Sequence, residues 1–236
     1  MNAIETAAYK EWQEKCSPVF QPQLRKPDYD RTTEFIGGFT AISRAYEGQA
    51  DNYRVLASEN ELWDGEGRVI YTWRNLNIDG AFCELFLHAN GSHYLVFRRE
   101  LYGYSVYEVE SGREMHYIPS QAYPEDEQSI QETFIWTDAH YDPQSSLLAV
   151  GGCIWAAPSS VIVLDFSDPL REQPAETWFD THEIVDPEWE DYDDVDFAGW
   201  EAGELILSTL PVEKGKDESI RLSVEQLKEK LRSLRG

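Results

Sequence analysis

Four residues with chemically active or aromatic side chains alternate along one predicted strand: Trp136, Asp138, His140 and Asp142. Period-two spacing places all four on the same face of a sheet. A histidine between two carboxylates is typical of a proton shuttle or a metal site. However, Asp142-Pro143 is a common turn opener, and no second ligand or nucleophile accompanies His140. We therefore predict no catalytic residues; if the protein is an enzyme, we expect Asp138, His140 and Asp142 to act.

A second candidate is the run from Asp186 to Asp196, in which seven of eleven residues are acidic. Calcium takes about six to eight oxygen ligands, so this density of carboxylates is compatible with a calcium site. The run lacks the central glycine and the twelfth-position glutamate of an EF-hand loop. Like charges at this density are more typical of an extended, solvated loop. We predict no metal site and no cofactor.

Aromatic residues interrupt the acidic run and favour a third interpretation, a contact surface for a basic protein. Aromatic rings supply contact area, and carboxylates steer a basic partner towards the surface. Trp155 lies in a predicted hairpin loop and adds another candidate aromatic contact. The predicted binding residues are Trp155, Asp186, Glu188, Trp189, Glu190, Asp191, Tyr192, Asp193, Asp194 and Asp196.

The acidity of the chain is regional. The net charge is −24, and residues 114–213 carry one basic residue, Arg171, against 23 acidic ones. Such a field repels nucleic-acid phosphates and anionic lipid, and it attracts basic proteins. We therefore predict no nucleic-acid partner, no membrane partner and a possible basic protein partner. The oligomeric state stays undefined.

The cysteines and the N-terminal sequence indicate a reducing compartment. Cys16, Cys83 and Cys153 are far apart and show no metal-ligand spacing, so we expect free, buried thiols. The first residues lack the basic and apolar regions of a signal peptide, and no run of about 18 apolar residues occurs. We expect a cytoplasmic protein.

The elements that position these residues form one predicted domain over 1–236. A helix at about 2–16 is expected to begin at Asn2, with Glu5 three positions on. A β-body then spans about 35–222. A second helix at about 224–235 follows the capping-box pair Ser223 and Gln226, and its apolar stripe is expected either to pack on the β-body or to form a dimer contact.

Four short apolar strands recur within the β-body. They begin at Val55, Leu95, Leu148 and Ile206, and the last three each follow a predicted turn. Further strand candidates lie on either side, so each unit reads as strand, turn, strand, loop, strand. This order is typical of an antiparallel meander.

One unit, within residues 133–166, resembles a blade of the WD40-like β-propeller superfamily. Residues 140–152 are similar to the turn and strand of that blade, and Val161–Phe166 are similar to its following strand. No Gly-His pair opens a unit, and no Trp-Asp pair closes one at the expected place. The resemblance implies an all-β, propeller-like fold of about four blade-like repeats with short helices at both ends. A β-sandwich, or an open barrel built from the same meanders, is the alternative.

Two functions follow from these features. The first is a non-enzymatic binding protein that presents an acidic, loop-rich face to a basic protein partner. The alternative is a hydrolase or lyase with a carboxylate/histidine site, acting with or without a divalent metal. The absence of a P-loop, a G-x-S-x-G elbow and an H-E-x-x-H pair favours the first.

Overall fold

A computed structural model describes residues 2–76, 82–124, 129–213 and 218–234. Backbone contacts divide the chain into two compact units, which we describe separately. Unit 1 comprises Met1–Leu87 and Ser92–Thr133, and unit 2 comprises His88–Gly91 and Phe134–Gly236. The single domain predicted over 1–236 stays a prediction.

Unit 1 contains two four-stranded antiparallel sheets, with strands in the orders β1-β2-β3-β4 and β5-β6-β7-β8. The strands are β1 (Arg31–Glu34), β2 (Thr40–Ala50), β3 (Tyr53–Trp63), β4 (Val69–Leu76), β5 (Cys83–Leu87), β6 (His93–Phe97), β7 (Tyr104–Glu108) and β8 (Glu114–Tyr117). Apolar side chains from both sheets, including Leu62, Trp73, Leu95 and Phe97, form one buried cluster.

Unit 2 contains a four-stranded sheet in the order β12-β11-β10-β9 and a three-stranded sheet in the order β13-β14-β15. The strands are β9 (Ile135–Asp142), β10 (Leu147–Cys153), β11 (Ser160–Asp165), β12 (Trp178–Asp180), β13 (Tyr192–Glu201), β14 (Glu204–Pro211) and β15 (Ser219–Ser223). The helices are α1 (Ala7–Cys16) in unit 1 and α2 (His182–Val185) and α3 (Val224–Ser233) in unit 2.

The predicted fold class is confirmed. The described residues are all-β with short helices, and their strands form four antiparallel sheets of three or four strands, as expected for four blade-like repeats. A β-sandwich consists of two sheets. Neighbours in each sheet are consecutive in the chain, which is the meander order that the turn spacing predicted.

The first helix begins later than predicted. Thr6, not Asn2, caps α1, because the Thr6 hydroxyl accepts the Tyr9 N–H. The Asn2 side chain instead donates to the His116 carbonyl and accepts the Ile118 N–H. Asn2 therefore fixes the start of the chain to the end of β8 and cannot cap a helix.

The last helix confirms its predicted capping box and packs on its own unit. The Ser223 hydroxyl accepts the Gln226 N–H, and the Gln226 side chain accepts the Ser223 N–H. Leu227 and Leu231 are buried among the β-strands of unit 2. The packing interpretation of the apolar stripe is therefore confirmed.

The three thiols are free, as predicted, but only two are buried. Cys16 and Cys83 are buried, and burial raises the pKa of Cys16 to about 11 and that of Cys83 to about 12. Cys153 lies at the end of β10 and is partly exposed. The apolar sequence around Cys153 did not reveal this, because the hairpin loop after β10 opens to solvent.

Candidate binding surface

The loop between α2 and β13 is organised by one buried carboxylate. Asp186 is 4% exposed, and its two oxygens accept the backbone N–H groups of Glu190, Asp191 and Tyr192 at 3.1, 2.9 and 3.1 Å. Burial alone would raise the pKa of Asp186, but these N–H groups and nearby His182 together lower it. Asp186 therefore stays ionised and holds the loop in one shape.

Trp189 is presented to solvent on a fixed support. Its backbone lies in the left-handed region, with φ 56°, and its ring stacks on the buried ring of His182 at 3.9 Å and 7°. The Ser160 hydroxyl and the Asp180 carboxylate lie 3.2 and 3.3 Å from Nδ1 of His182. Half of the Trp189 surface, 50%, remains exposed. This ring loses little freedom on binding, which favours a role as an anchor.

The exposed acids of the run have no counter-charge within the part of the chain that the structure describes. No basic side chain there forms an ion pair with Glu188, Glu190, Asp193 or Asp196. Tyr192 and Asp186, which we predicted as binding residues, are buried and support the loop from within. Asp191 is partly buried, and its backbone carbonyl accepts the Val212 N–H.

The Trp155 loop and the acidic run are adjacent in space. Asp194 Oδ1 accepts both the backbone N–H and the hydroxyl of Ser159, at 2.8 and 3.0 Å. The Ser159 carbonyl in turn accepts the Val195 N–H at 3.0 Å. Ser159 follows Trp155 by four residues, and Trp155 is 60% exposed. These three bonds join two segments that the sequence showed only as separate candidates.

Two apolar side chains that sequence reasoning missed flank the acids. Leu210 pairs in register with Asp194, and the Val212 N–H bonds to the Asp191 carbonyl. Leu210 and Val212 are 54% and 53% exposed. The exposure of Leu210 could have been predicted from the sequence, because Leu210 is out of phase with Leu205 and Leu207, which are buried on the other face of the same strand.

We name this region the acidic–aromatic surface. It comprises the exposed residues Trp155, Glu188, Trp189, Glu190, Asp193, Asp196, Leu210 and Val212 of unit 2. Unit 2 contains 22 acidic and 8 basic residues, a net charge of −14. The surface thus combines uncompensated carboxylates with exposed aromatic and aliphatic side chains.

The candidate catalytic residues are brought together only in part. His140 Nε2 lies 3.0 Å from Asp138 Oδ1, and the His140 ring stacks on Phe197 at 3.8 Å. Burial would raise the pKa of Asp138, but His140 and the Gly151 N–H together lower it. Asp142 is instead the turn residue that its sequence context indicated, because it accepts the N–H groups of Gln144 and Ser145.

The predicted common face of the four alternating residues is wrong at Trp136. The register between β9 and β10 shifts between Gly151 and Gly152, so Thr137 has no partner on β10. This bulge puts Trp136 out of phase with Asp138, His140 and Asp142, and Trp136 is buried. A bulge leaves no mark in a pattern of alternating residue types.

A second histidine cluster also lacks access for a substrate. Ser160, Asp180 and His182 contact one another, but His182 is fully buried and Ser160 is 4% exposed. Across the described ranges, no three His, Cys, Asp or Glu side chains converge in a way that could hold a metal ion. The cluster therefore supports the Trp189 ring from within the unit.

No protein-family model and no curated protein sequence matches this chain. None of the helices in the described ranges has both the length and the apolar character needed to cross a bilayer.

Proposed function

We propose that this chain is a non-enzymatic binding protein whose acidic–aromatic surface contacts a basic protein. The observation that supports this most directly is the bonding of Ser159 to Asp194 and Val195, which makes the Trp155 loop and the acidic run one continuous surface. A partner can then meet aromatic anchors and carboxylates at once.

The physical argument is one of steering followed by anchoring. Uncompensated carboxylates accelerate encounter with a basic partner by about 10- to 1,000-fold at low salt. Exposed aromatic side chains with restricted motion supply most of the energy once contact is made. The Trp189 ring is restricted by its stack on His182, and the backbone that carries Trp155 is restricted by a tight turn in which the Ala157 N–H bonds to the Ile154 carbonyl.

A hydrolase or lyase is the second candidate, and the close pair of Asp138 and His140 favours it. Both side chains are partly exposed, at 42% and 36%. The pair has the geometry of a carboxylate that orients a general base, but the neighbouring hydroxyl, that of Thr137, donates to Asp138 instead of to the histidine. We rank it below binding for this reason.

We extend the proposal to the family of the protein and to its cellular location. Four meander sheets are consistent with WD40-like repeats, which in our proposal serve here as a binding scaffold. The three free thiols are consistent with a cytoplasmic location.

Affinity capture with two matched charge variants tests the proposed function. One variant neutralises the surface (E188Q, E190Q, D193N and D196N), and the control neutralises four exposed acids of unit 1 (E11Q, E14Q, D28N and E34Q). Both change the net charge by four. We expect the wild type and the control to retain a basic protein at about 50 mM salt and to release it at about 500 mM. The surface variant and W155A should retain less than a tenth as much.

Capture of no protein at either salt concentration would contradict the proposal. Equal capture by the surface variant and the control would contradict it as well, because bulk acidity would then suffice. Changing Asp138 to Asn should leave capture unchanged, since Asp138 lies outside the surface.

A further inference from the structure

Unit 1 carries an open groove of about 500 Å³ along the sheet β1–β4. Its charged lining consists of Arg44, Glu59, Glu61, Arg74 and Arg99. This volume falls in the range of small-molecule sites, about 300–1,000 Å³. The groove contains three positive and two negative side chains in a chain whose net charge is −24.

Both carboxylates of the groove already form ion pairs with arginines of the groove. The Glu61 oxygens lie 2.7 and 3.0 Å from two nitrogens of Arg44 and also accept the Trp63 indole N–H. Glu59 accepts two N–H groups of Arg74, at 3.1 and 2.6 Å, and the Tyr46 hydroxyl at 2.6 Å. The Arg44–Glu61 and Arg74–Glu59 pairs thus cancel in charge.

Arg99 is the positive charge that remains. It is partly buried, and its side chain forms no hydrogen bond or ion pair with any residue of the described ranges. The carboxylates in electrostatic range are Glu100 and Glu114. Glu100 is buried with its pKa raised to about 8, and Glu114 accepts the Tyr71 hydroxyl and lies 3.3 Å from Nε2 of His116. Neither forms an ion pair with Arg99 in the described ranges.

The arginines are also well placed to share a ligand. Arg74 is fixed on its other side by the Phe20 ring, 4.3 Å from the guanidinium carbon. A guanidinium has about five N–H donors, and Arg44 and Arg74 each use only some of theirs on Glu61 and Glu59. The exposed Thr72 lies opposite Glu61 and lines the same groove. The groove therefore presents donors and a net positive charge, which is the chemistry that recognises an oxyanion.

We propose that the groove of unit 1 binds a small multivalent oxyanion, a carboxylate or a phosphate, with Arg99 as its principal ligand and Arg44, Arg74 and Thr72 as further donors. Binding places a counter-charge beside a partly buried guanidinium that has no ion-pair partner in the described chain. The acidic chain opposes the approach of anions, so affinity is modest and decreases with salt.

Isothermal titration with citrate and with pyrophosphate, at constant ionic strength, tests this proposal. We expect at least one of the two to bind the wild type at submillimolar concentration. R99Q should weaken that affinity about tenfold or more, because a bidentate charged contact is lost. R99K should give an intermediate loss of affinity, since lysine keeps the charge but lacks the planar guanidinium that donates two parallel hydrogen bonds. The matched control R68Q removes an exposed arginine of the β3–β4 turn and should bind as the wild type does.

Binding of citrate alone would identify a carboxylate ligand, and binding of pyrophosphate alone a phosphate ligand. If neither anion binds the wild type at up to about 10 mM, the proposal is wrong. Equal affinity of R99Q and the wild type would also overturn it. Should R99Q fail to fold, as judged by circular dichroism, the comparison of R99K with R68Q decides.

Discussion

Two buried carboxyl groups in this protein have pKa values that are shifted in opposite directions. Asp186 is surrounded by backbone N–H groups, which outweigh burial and lower its pKa. Glu100 is completely buried and accepts hydrogen bonds from the side chains of Tyr9, Trp12 and Tyr123, yet burial dominates and raises its pKa to about 8. One group is thus ionised at neutral pH and the other is predominantly protonated. Both groups accept at least three hydrogen bonds, so the difference comes from the burial cost, which dominates at Glu100, while backbone N–H groups and His182 outweigh it at Asp186.

The Glu100 cluster holds α1 on unit 1 and makes its stability depend on pH. The native pKa lies above the unfolded value of about 4.3, so the stabilisation is complete below that value and is lost as pH rises towards 8. We expect the unfolding free energy of the wild type to fall, relative to E100Q, by up to about 1.4 kcal/mol for each pH unit between about 5 and 8. Urea unfolding at a series of pH values measures this.

The control for this prediction is E11Q, which changes an exposed glutamate of the same helix. Its profile should run parallel to that of the wild type. Parallel profiles for E100Q and the wild type would show that Glu100 is ionised in the native protein.

At the residue scale, the sequence predicted part of the candidate site. Carboxylate density indicated the run from Asp186 to Asp196, and the hairpin loop indicated Trp155, both from local composition. The burial of Asp186 and Tyr192 and the bond from Ser159 to Asp194 were not predictable, because they depend on which segments meet in the fold. The Arg99 groove was missed for the same reason.

At the element scale, strand β10 depends on two adjacent glycines. Gly151 allows the Asp138 carboxylate to reach its N–H at 3.1 Å, and a Cβ at Gly152 would overlap the Ile135 carbonyl oxygen. This close approach lies at the bulge that shifts the register between β9 and β10. A glycine is therefore required where the two strands come closest.

We expect G152A to destabilise unit 2 by about 1–3 kcal/mol or more, because the added methyl group must displace the β9 backbone. The matched control is G199A in β13, where an added Cβ meets no atom within 4 Å. Urea unfolding of both variants measures the difference. Equal stability of G152A and the wild type would mean that β9 and β10 pair differently.

The positions of the turns could be predicted from the sequence, whereas the extents of some strands could not. The turns at Ala89–Ser92, Asp142–Ser145 and Glu201–Glu204 were predictable, because Gly, Asn, Asp and Pro punctuate them. In contrast, the short strand predicted to begin at Val55 extends to Trp63 as β3. The polar residues Glu59 and Asn60 continue the strand because they pair with Arg74 and Trp73 of β4. The partner strand β2, with few large apolar side chains, was not predicted at all.

At the scale of the whole molecule, the two units differ in charge. Unit 2 carries −14 of the total of −24, although it contains fewer than half of the residues. The regional acidity read from the sequence therefore corresponds mainly to one compact unit. The position of the acidic–aromatic surface within unit 2 required the structure, since its members come from two loops, the first half of β13 and the end of β14.

The association rate of the captured partner, measured against salt concentration, tests the central claim most directly. We expect the rate for the wild type and for the four-acid control of unit 1 to fall steeply between about 20 and 500 mM salt. The surface variant should associate about tenfold or more slowly at low salt, with a much shallower dependence. Identical rates and identical salt dependence for the wild type and the surface variant would contradict the account.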